Sequence, residues 1–234
     1  MMERGTRTEE AVGRAKPRKP YKGMAMEGAI ARWYSRNRGK SIEEYRSWAK
    51  MASEHAPEGG SVLEVAPGPG YLSVELARLG RQRVVGVDIS KTFVEIASDR
   101  ARAVGVDVDF RQGDAAEMPF AEDTFDLAIC TAAFKNFPDP VMVLDEIYRV
   151  MKSGGEALII DMRRDASMKD VGEHVDAMRL SRTDSFVTKF TFRFMLRRWA
   201  YARGQLIDMV SKSHFGSCRL VEEGIGFEMW LKKP

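Results

Sequence analysis

The sequence predicts a doubly wound α/β fold with a mostly parallel sheet of seven strands. Short runs rich in Val, Ile and Leu recur along the chain, and helical patterns separate them. Strands that read as apolar throughout are typical of parallel sheets that helices cover on both faces. With 234 residues, of which 44% are hydrophobic, the chain can bury one complete core. A single domain therefore accounts for the whole pattern.

The strands are predicted in two groups. Each parallel strand except the last precedes a helix, or a loop and then a helix, which favours a parallel sheet. The final stretch, SCRLVEEGIGFEMWLKK, predicts an antiparallel hairpin that turns near Gly224 and Gly226. The five parallel strands are expected at 61–66, 82–88, 107–112, 125–131 and 154–162.

Helix boundaries follow from capping residues. Ser90 and Asp139 are placed to cap the helices that they precede, and Pro140 suits a first helical turn. Gly80 and Gly154 are expected to end helices. The helix that ends at Gly80 is predicted to have Leu72, Leu76 and Leu79 on its apolar face. The helix that follows Asp139 is predicted to have an apolar face of Leu144, Ile147, Tyr148 and Met151.

The charge of the chain is concentrated at its start. Residues 1–22 hold seven Lys and Arg residues against three Glu residues, while the whole chain has a net charge of +3. We interpret 1–22 as a disordered basic tail, either solubilising or in weak contact with an anionic surface. The body, 23–234, divides into a helical cap at 23–57, a core at 58–163, a helical lid at 164–216 and the hairpin at 217–234. No apolar run approaches the length of a membrane span, so a cytoplasmic protein without stable membrane insertion is expected.

The loop after the first strand, VLEVAPGPG, is predicted to bind a nucleotide-like ligand. Backbone N–H groups are exposed where a parallel strand gives way to a helix, and Gly68 and Gly70 would let a ligand approach them. A dinucleotide fingerprint would need glycine at position 73, which is Ser73, and no Gly-Lys-Ser/Thr phosphate loop is present. The alternative is that these glycines only form a tight turn.

Three further strand ends converge on the same cleft. Asp88 ends the second strand, where a carboxylate can accept both hydroxyls of a ribose, and Asp114 follows the third. Thr131 ends the fourth strand, and Glu64 precedes the glycine loop. Three acids at successive strand ends argue against a purely structural explanation.

The ordered motifs of residues 58–163 resemble the class I S-adenosylmethionine-dependent methyltransferases, which have a Rossmann-like fold. The similarity is closest to the ubiquinone/menaquinone C-methyltransferases, which act on small molecules. It is carried by VLEVAPGPG, GVDIS, GDAAEMPF, FDLAICTAAFKNFPDP and EIYRVMKSGGEALIIDM, which occur in the order of the family.

The resemblance implies that S-adenosylmethionine is the cofactor and S-adenosylhomocysteine the product. It implies that Glu64 holds the methionine amino group, that Asp88 binds the ribose and that Asp114 meets the adenine amino group. The remaining residues implied at the cofactor are Ala66, Pro67, Gly68, Gly70, Ile89, Ala115 and Thr131. One position departs from the family pattern, since Ala66, followed by Pro67, stands where the first glycine of the loop is usual.

Several substrates and sites are not expected. The Asn/Asp-Pro-Pro-aromatic motif of methyltransferases that modify nucleobases is replaced by CTAAFKNFPDP, so nucleic acid is not an expected partner. Cys130 and Cys218 lack the spacing of a zinc site or a disulfide framework, and arsenic methylation would require more cysteines. No metal site is predicted.

The acceptor is expected to be a small, partly apolar molecule that is bound outside the common core. Candidate acceptor contacts are Trp33, Phe134, Phe194 and Trp199. The lid aromatics could instead pack the lid on the sheet, or lie on a membrane surface as an amphipathic helix. A homodimer is left open.

The sequence predicts methyl transfer to O, N, C or S by in-line displacement. A base is needed only for a protic acceptor, and Tyr34 and His214 are the candidates. His174 also lies in the lid, where it could present a base, and His55 is expected to be structural. The alternatives are a protein that binds the cofactor without catalysis and a methyltransferase that acts on a macromolecule through the basic tail.

Overall fold

The computed structural model describes residues 22, 26–38, 42–177, 186, 188–190, 194 and 198–234. Its centre is a seven-stranded sheet with the order β3-β2-β1-β4-β5-β7-β6. The first five strands are parallel, and β7 runs antiparallel to both of its neighbours. The predicted fold class is thereby confirmed. The strands are β1 (Ser61–Val65), β2 (Arg83–Asp88), β3 (Asp109–Gln112), β4 (Phe125–Thr131), β5 (Met151–Met162), β6 (Arg219–Glu223) and β7 (Gly226–Lys232).

Helices cover both faces of the sheet. In chain order they are α1 (Gly28–Arg38), α2 (Ile42–Glu54), α3 (Tyr71–Arg78), α4 (Lys91–Ala103), α5 (Pro140–Val150), α6 (Met168–Ala177) and α7 (Arg203–Ser211), with a short 3₁₀ turn at Phe134–Asn136. The apolar faces of α2 and α3 pack on one side of the sheet, and those of α5 and α7 pack on the other. Two layers of buried side chains therefore fix the positions of the central strands.

The strand order reverses between β1 and β4. From β1 the sheet grows through β2 and β3 in one direction and through β4 and β5 in the other. The crossovers leave that junction on opposite faces, so a crevice opens at the carboxyl ends of β1 and β4. The loops after β1, β2, β3 and β4 all lie at this edge.

Several strand and helix boundaries differ from the prediction; β3, for example, begins at Asp109 and not at 107. Helix α5 ends at Val150 because Met151 already pairs with Phe125, so β5 begins before Gly154. Leu79 is exposed beyond the end of α3. The capping predictions are confirmed, since Ser90 and Asp139 accept bonds from the backbone N–H of the third residue after each.

Part of the predicted organisation lies outside the described residues. This applies to the tail, apart from Lys22, and to much of the lid between 178 and 197. Within the described ranges, none of the helices combines the length and the apolar character needed to cross a bilayer.

Candidate functional site

The glycine loop after β1 needs its glycines for two different reasons. Gly70 has φ of +75°, and a Cβ there would lie 2.6 Å from that of Ala97 on α4. Gly68 also has positive φ, but a Cβ there would meet only Phe93, at 4.0 Å. Gly70 therefore allows close packing of the loop on α4, whereas the space over Gly68 is open to a ligand.

Two alanines beside the crevice have left-handed backbones. Ala66 follows β1 with φ of 57°, and Ala132 follows β4 with φ of 56°. The N–H of each donates to the next strand, Ala66 to the carbonyl of Val87 at 2.8 Å and Ala132 to that of Ile160 at 2.7 Å. A left-handed alanine costs roughly 1–2 kcal/mol, and such strain is concentrated at functional sites. The conformation of Ala66 explains why glycine is usual at this position.

Glu64 is a buried carboxyl at the end of β1. It accepts a hydrogen bond from the hydroxyl of Ser73, in the first turn of α3. Burial is the main cause that raises the pKa of Glu64 to about 7; the bonds from Ser73 oppose the rise, and the nearby Asp88 carboxylate adds to it. A cationic group in the crevice would stabilise the ionised form of this carboxyl, whose pKa lies near neutral pH.

Asp88 is the second buried carboxyl, at the end of β2. Its Oδ2 accepts from the N–H of Gly68 at 2.9 Å, and its Oδ1 accepts from the N–H of Ser90 at 2.8 Å. Burial raises the pKa of Asp88 to about 6, although both N–H bonds act against it. Each oxygen keeps a lone pair, so the carboxylate can still accept the two hydroxyls of a ribose.

The chain before α1 covers the start of α4, beside Asp88. Glu27 accepts from the N–H of Lys91 at 2.9 Å and from that of Thr92 at 3.1 Å. Ser90 donates through its hydroxyl to the carbonyl of Met26 at 2.6 Å. These bonds fix the N-terminal cap at the edge where Asp88 lies.

Arg100 joins α1 to the glycine loop. Its Nε donates to the carbonyl of Pro69 at 2.9 Å, and its Nη2 donates to the hydroxyl of Ser35 at 3.3 Å. The guanidinium lies 3.6 Å from the ring centroid of Tyr71, whose hydroxyl donates to the carbonyl of Ser35. No local pattern in the sequence marks Arg100, because its partners are far apart in the chain.

Tyr34 and Trp33 lie on α1 above this edge. The ring of Tyr34 packs edge-on against Phe93, with 5.9 Å between the centroids. Since Phe93 also borders Gly68, Tyr34 lies close to the open part of the loop. Trp33 is largely exposed.

The loop after β3 forms another wall. Asp114 accepts from the N–H of Ala116 at 2.9 Å, and Ala115 is buried. Ile89 is half-buried at the end of β2, and its carbonyl accepts from Gln112. Pro67 is buried beneath the glycine loop. The structure thus brings the residues predicted at the cofactor to one edge of the sheet.

The loop after β4 is held by a buried ion pair that no pattern in the sequence predicts. The ammonium of Lys135 lies 2.7 Å from Asp161 and donates to the carbonyl of Ala132 at 2.6 Å. The N–H of Lys135 donates to the other oxygen of Asp161 at 2.9 Å. This pair fixes the strained turn that follows Thr131, which is half-buried.

Phe134 and Tyr201 lie behind this turn. Phe134 has no exposed surface and packs edge-on against Phe137 and Tyr201. It therefore supports the wall of the crevice from behind and is not available to an acceptor in this conformation, contrary to the prediction. Tyr201 accepts a hydrogen bond from the ammonium of Lys22 at 2.6 Å.

The prediction that His214 is a base of this site is not supported by its position. Its Nδ1 lies 2.8 Å from Asp145, and its ring is 5.6 Å from that of Tyr148. It borders a pocket with Glu122, which precedes β4, and Lys233, which follows β7. These positions mark the amino edge of the parallel strands, so His214 lies away from the glycine loop.

Four aromatic side chains of the lid are exposed, namely those of Phe186, Phe190, Phe194 and Trp199. Phe194 and Trp199 contact each other edge-on at 6.5 Å between centroids. The N–H of Arg164 donates to the carbonyl of Tyr201 at 2.9 Å, which joins the end of the lid to the carboxyl end of β5. His174 is exposed on α6.

The arrangement suits a ligand with a cationic group beside a pair of neighbouring hydroxyls. Glu64 and Asp88 are buried acids without a basic partner among the groups that set their pKa values, and the space over Gly68 is open. Such acids are stabilised when a ligand brings positive charge and hydrogen-bond donors.

Comparisons with known proteins agree with this description. Residues 63–159 match the family described as "Methyltransferase domain". The chain is 37% identical over 126 residues to a 2-phytyl-1,4-naphtoquinone methyltransferase of Synechococcus elongatus. The aligned region covers 51% of this chain and 54% of that protein. It is 31% identical over 158 residues to a demethylmenaquinone methyltransferase of Deinococcus radiodurans, covering 64% and 65%. The chain thus spans between about half and two thirds of these relatives.

Solved structures share the fold. A SAM-dependent methyltransferase from Aquifex aeolicus superposes with a TM-score of 0.61 at 19% identity, over 78% of this chain and 87% of that one. The [4+2]-cyclase SpnF gives a TM-score of 0.54 at 19% identity, over 81% of each chain. At this identity the likeness concerns the fold alone.

Proposed function

We propose that this chain, which resembles the class I S-adenosylmethionine-dependent methyltransferases of the ubiquinone/menaquinone type, is an enzyme that uses S-adenosylmethionine. It transfers the methyl group to a small, partly apolar acceptor. The single observation that carries the proposal is the pair of buried acids, Glu64 and Asp88, at successive strand ends beside the open glycine loop. The relatives named above are methyltransferases, which supports the same activity.

Different residues of the crevice bind different parts of the cofactor. Glu64 holds the methionine ammonium, and the backbone at Gly68 approaches the methionine part. Asp88 accepts the two ribose hydroxyls. Ile89 and Ala115 pack on the adenine, whose amino group meets Asp114. Ala66, Pro67, Gly70 and Thr131 complete the cofactor contacts that we propose.

The cofactor supplies a methyl group that is already activated by the positive charge of the sulfonium. The protein then has to align the acceptor with the methyl group and exclude water. We assign the acceptor contacts to Trp33, Phe194 and Trp199, which are exposed in this structure. Tyr34 is the base that we propose for a protic acceptor.

The acceptor class that we propose is quinone-type. The two curated relatives are named for a phytylated naphthoquinone and for demethylmenaquinone, both of which combine a polar ring with apolar character. The acceptor atom would then be carbon. We further propose a cytoplasmic location, with no role for nucleic acid.

Cofactor binding is the first test. Calorimetry with S-adenosylhomocysteine should show binding to the wild type and a roughly 30-fold or greater loss in Asp88→Asn, because charge-assisted bonds are worth about 1.5–3 kcal/mol each. Asp99→Asn, which changes an exposed acid on α4, is the matched control. Unaltered affinity in Asp88→Asn would contradict the ribose assignment.

Turnover is the second test. The protein is incubated with labelled S-adenosylmethionine and a demethylated quinol, and methylated product and S-adenosylhomocysteine are measured. Equal amounts of both support the proposal. Binding without turnover on any extract of small metabolites would favour the non-catalytic alternative, and turnover that is lost on removal of residues 1–20 would favour a macromolecular acceptor.

A further inference from the structure

The lid carries a face of exposed phenylalanines. Phe186, Phe190 and Phe194 have exposed fractions of 75%, 69% and 57%. Residues 186, 188–190 and 194 are helical, and a spacing of four in the sequence is the spacing that predicts one shared helix face for the three phenylalanines. We call this surface, with Lys189 and Arg198, the lid face. Large apolar side chains that are exposed together mark an interaction surface.

The lid is attached to the protein through other residues. Val171 and Val175 of α6, Ala200 and Ile225 form a separate buried cluster between the lid and the hairpin. None of these residues is aromatic, and none belongs to the lid face. Packing of the lid on the sheet therefore does not account for the exposed phenylalanines.

The charge of this segment sets it apart from the core. Residues 178–203 contain seven Lys and Arg residues and a single acid, Asp184. Residues 23–177 contain 19 Lys and Arg residues against 26 Asp and Glu residues. The positive charge of the body is thus concentrated in the segment that carries the lid face, next to an acidic core.

We propose that the lid face is a docking surface for an anionic phospholipid membrane. Phenylalanine and tryptophan side chains enter the interface between headgroups and acyl chains, while lysine and arginine contact the anionic headgroups. A second copy of this chain is disfavoured as the occupant, because a two-fold contact would bring the same positive charge together. The contact is peripheral and needs no membrane-spanning helix.

The lid face is connected to the crevice, so docking on a membrane would bring the crevice close to the bilayer. Phe194 contacts Trp199, and two residues later Tyr201 is joined to the end of β5 beside the crevice. A lipid-like acceptor would therefore leave the bilayer next to the site. Docking itself does not depend on the proposed methyl transfer, since it needs neither cofactor nor acceptor.

Vesicle flotation with the full chain tests the proposal. Vesicles of equal parts phosphatidylcholine and phosphatidylglycerol should bind the protein, and phosphatidylcholine vesicles should bind it much less. The double variant Phe186→Ser/Phe190→Ser should bind anionic vesicles at least about tenfold more weakly, since complete burial of a single phenylalanine side chain already strengthens binding by about tenfold or more. Leu79→Ser, which removes an exposed apolar side chain elsewhere, should leave binding unchanged.

A charge variant separates the lid face from the tail. Lys189 lies 2.9 Å from Asp176, so the charge variant is Arg198→Gln. It should weaken binding by roughly fivefold and reduce its salt dependence, whereas Arg102→Gln, at an exposed position of α4, should not. All variants keep the tail, so it cannot cause the difference. Undiminished binding by the phenylalanine variant would overturn the proposal, as would a dimer in ultracentrifugation that this variant abolishes. Failure of turnover alone, with vesicle binding intact, would contradict only the proposed function.

Discussion

Replacement of Glu64 by Gln should stabilise the protein without ligand at alkaline pH. Burial moves the pKa of this carboxyl from 4.5 to about 7. Between these values the folded state keeps a proton that the unfolded state has released, so the free energy of unfolding falls as the pH rises. Each tenfold change in the proton equilibrium is worth about 1.4 kcal/mol, which gives a total loss of about 3 kcal/mol between pH 4.5 and pH 7. Glutamine has no proton to lose and can still accept from Ser73.

Urea unfolding of both proteins at a series of pH values measures this effect. The difference in free energy between Glu64→Gln and the wild type should increase in favour of the variant by about 3 kcal/mol from pH 4 to pH 8. Asp88 has its own pH dependence in the same direction, because its pKa also rises, but it is present in both proteins. A difference that is constant with pH would refute the reasoning.

The same variant should respond poorly to the cofactor. In the wild type, the methionine ammonium that we propose next to Glu64 would compensate the buried charge, so S-adenosylhomocysteine should raise the unfolding temperature at pH 8. Glu64→Gln should show a much smaller rise. An equal rise in both proteins would leave the stability argument intact and would contradict the assignment of Glu64 to the cofactor.

Three further predictions concern the same edge of the sheet and its surroundings. Ala66→Gly should stabilise the protein by up to about 1 kcal/mol in chemical unfolding, because glycine removes the penalty of a left-handed residue; destabilisation would show that the methyl group packs usefully. Lys135→Met should lower the free energy of unfolding by about 3 kcal/mol, because it leaves Asp161 buried and unpaired. The double variant Lys135→Met/Asp161→Leu should recover most of this stability; a double variant that recovers none would show that the pair is not desolvated. His214→Ala should leave the pH–rate profile of any turnover unchanged, since this side chain is 69% exposed at the opposite edge of the sheet; a lost limb of the profile would contradict its placement.

The site could be found from sequence where the information is local. Asp88 ends a strand with a recognisable pattern, Gly68 and Asp114 follow such strands, and the carboxyl ends of parallel strands must meet at one edge. The caps Ser90 and Asp139 were also predictable, because a capping side chain bonds to a backbone group three residues away. The unusual Ala66 was visible as a departure from the family pattern, but its positive φ was not.

The rest depended on contacts between distant parts of the chain. His214 looked like a base for the crevice, yet α7 carries it towards the amino edge, where Asp145 binds it. Nothing in the sequence around Lys135 indicates that it is buried, because its partner Asp161 lies 26 residues away, on β5. The succession of strands and helices, the glycine loop and the acids at the strand ends all follow from local patterns in the sequence. The burial of Phe134 and the location of His214 at the opposite edge could be known only from the folded molecule, because packing over the whole sheet sets the direction in which the chain continues after each strand.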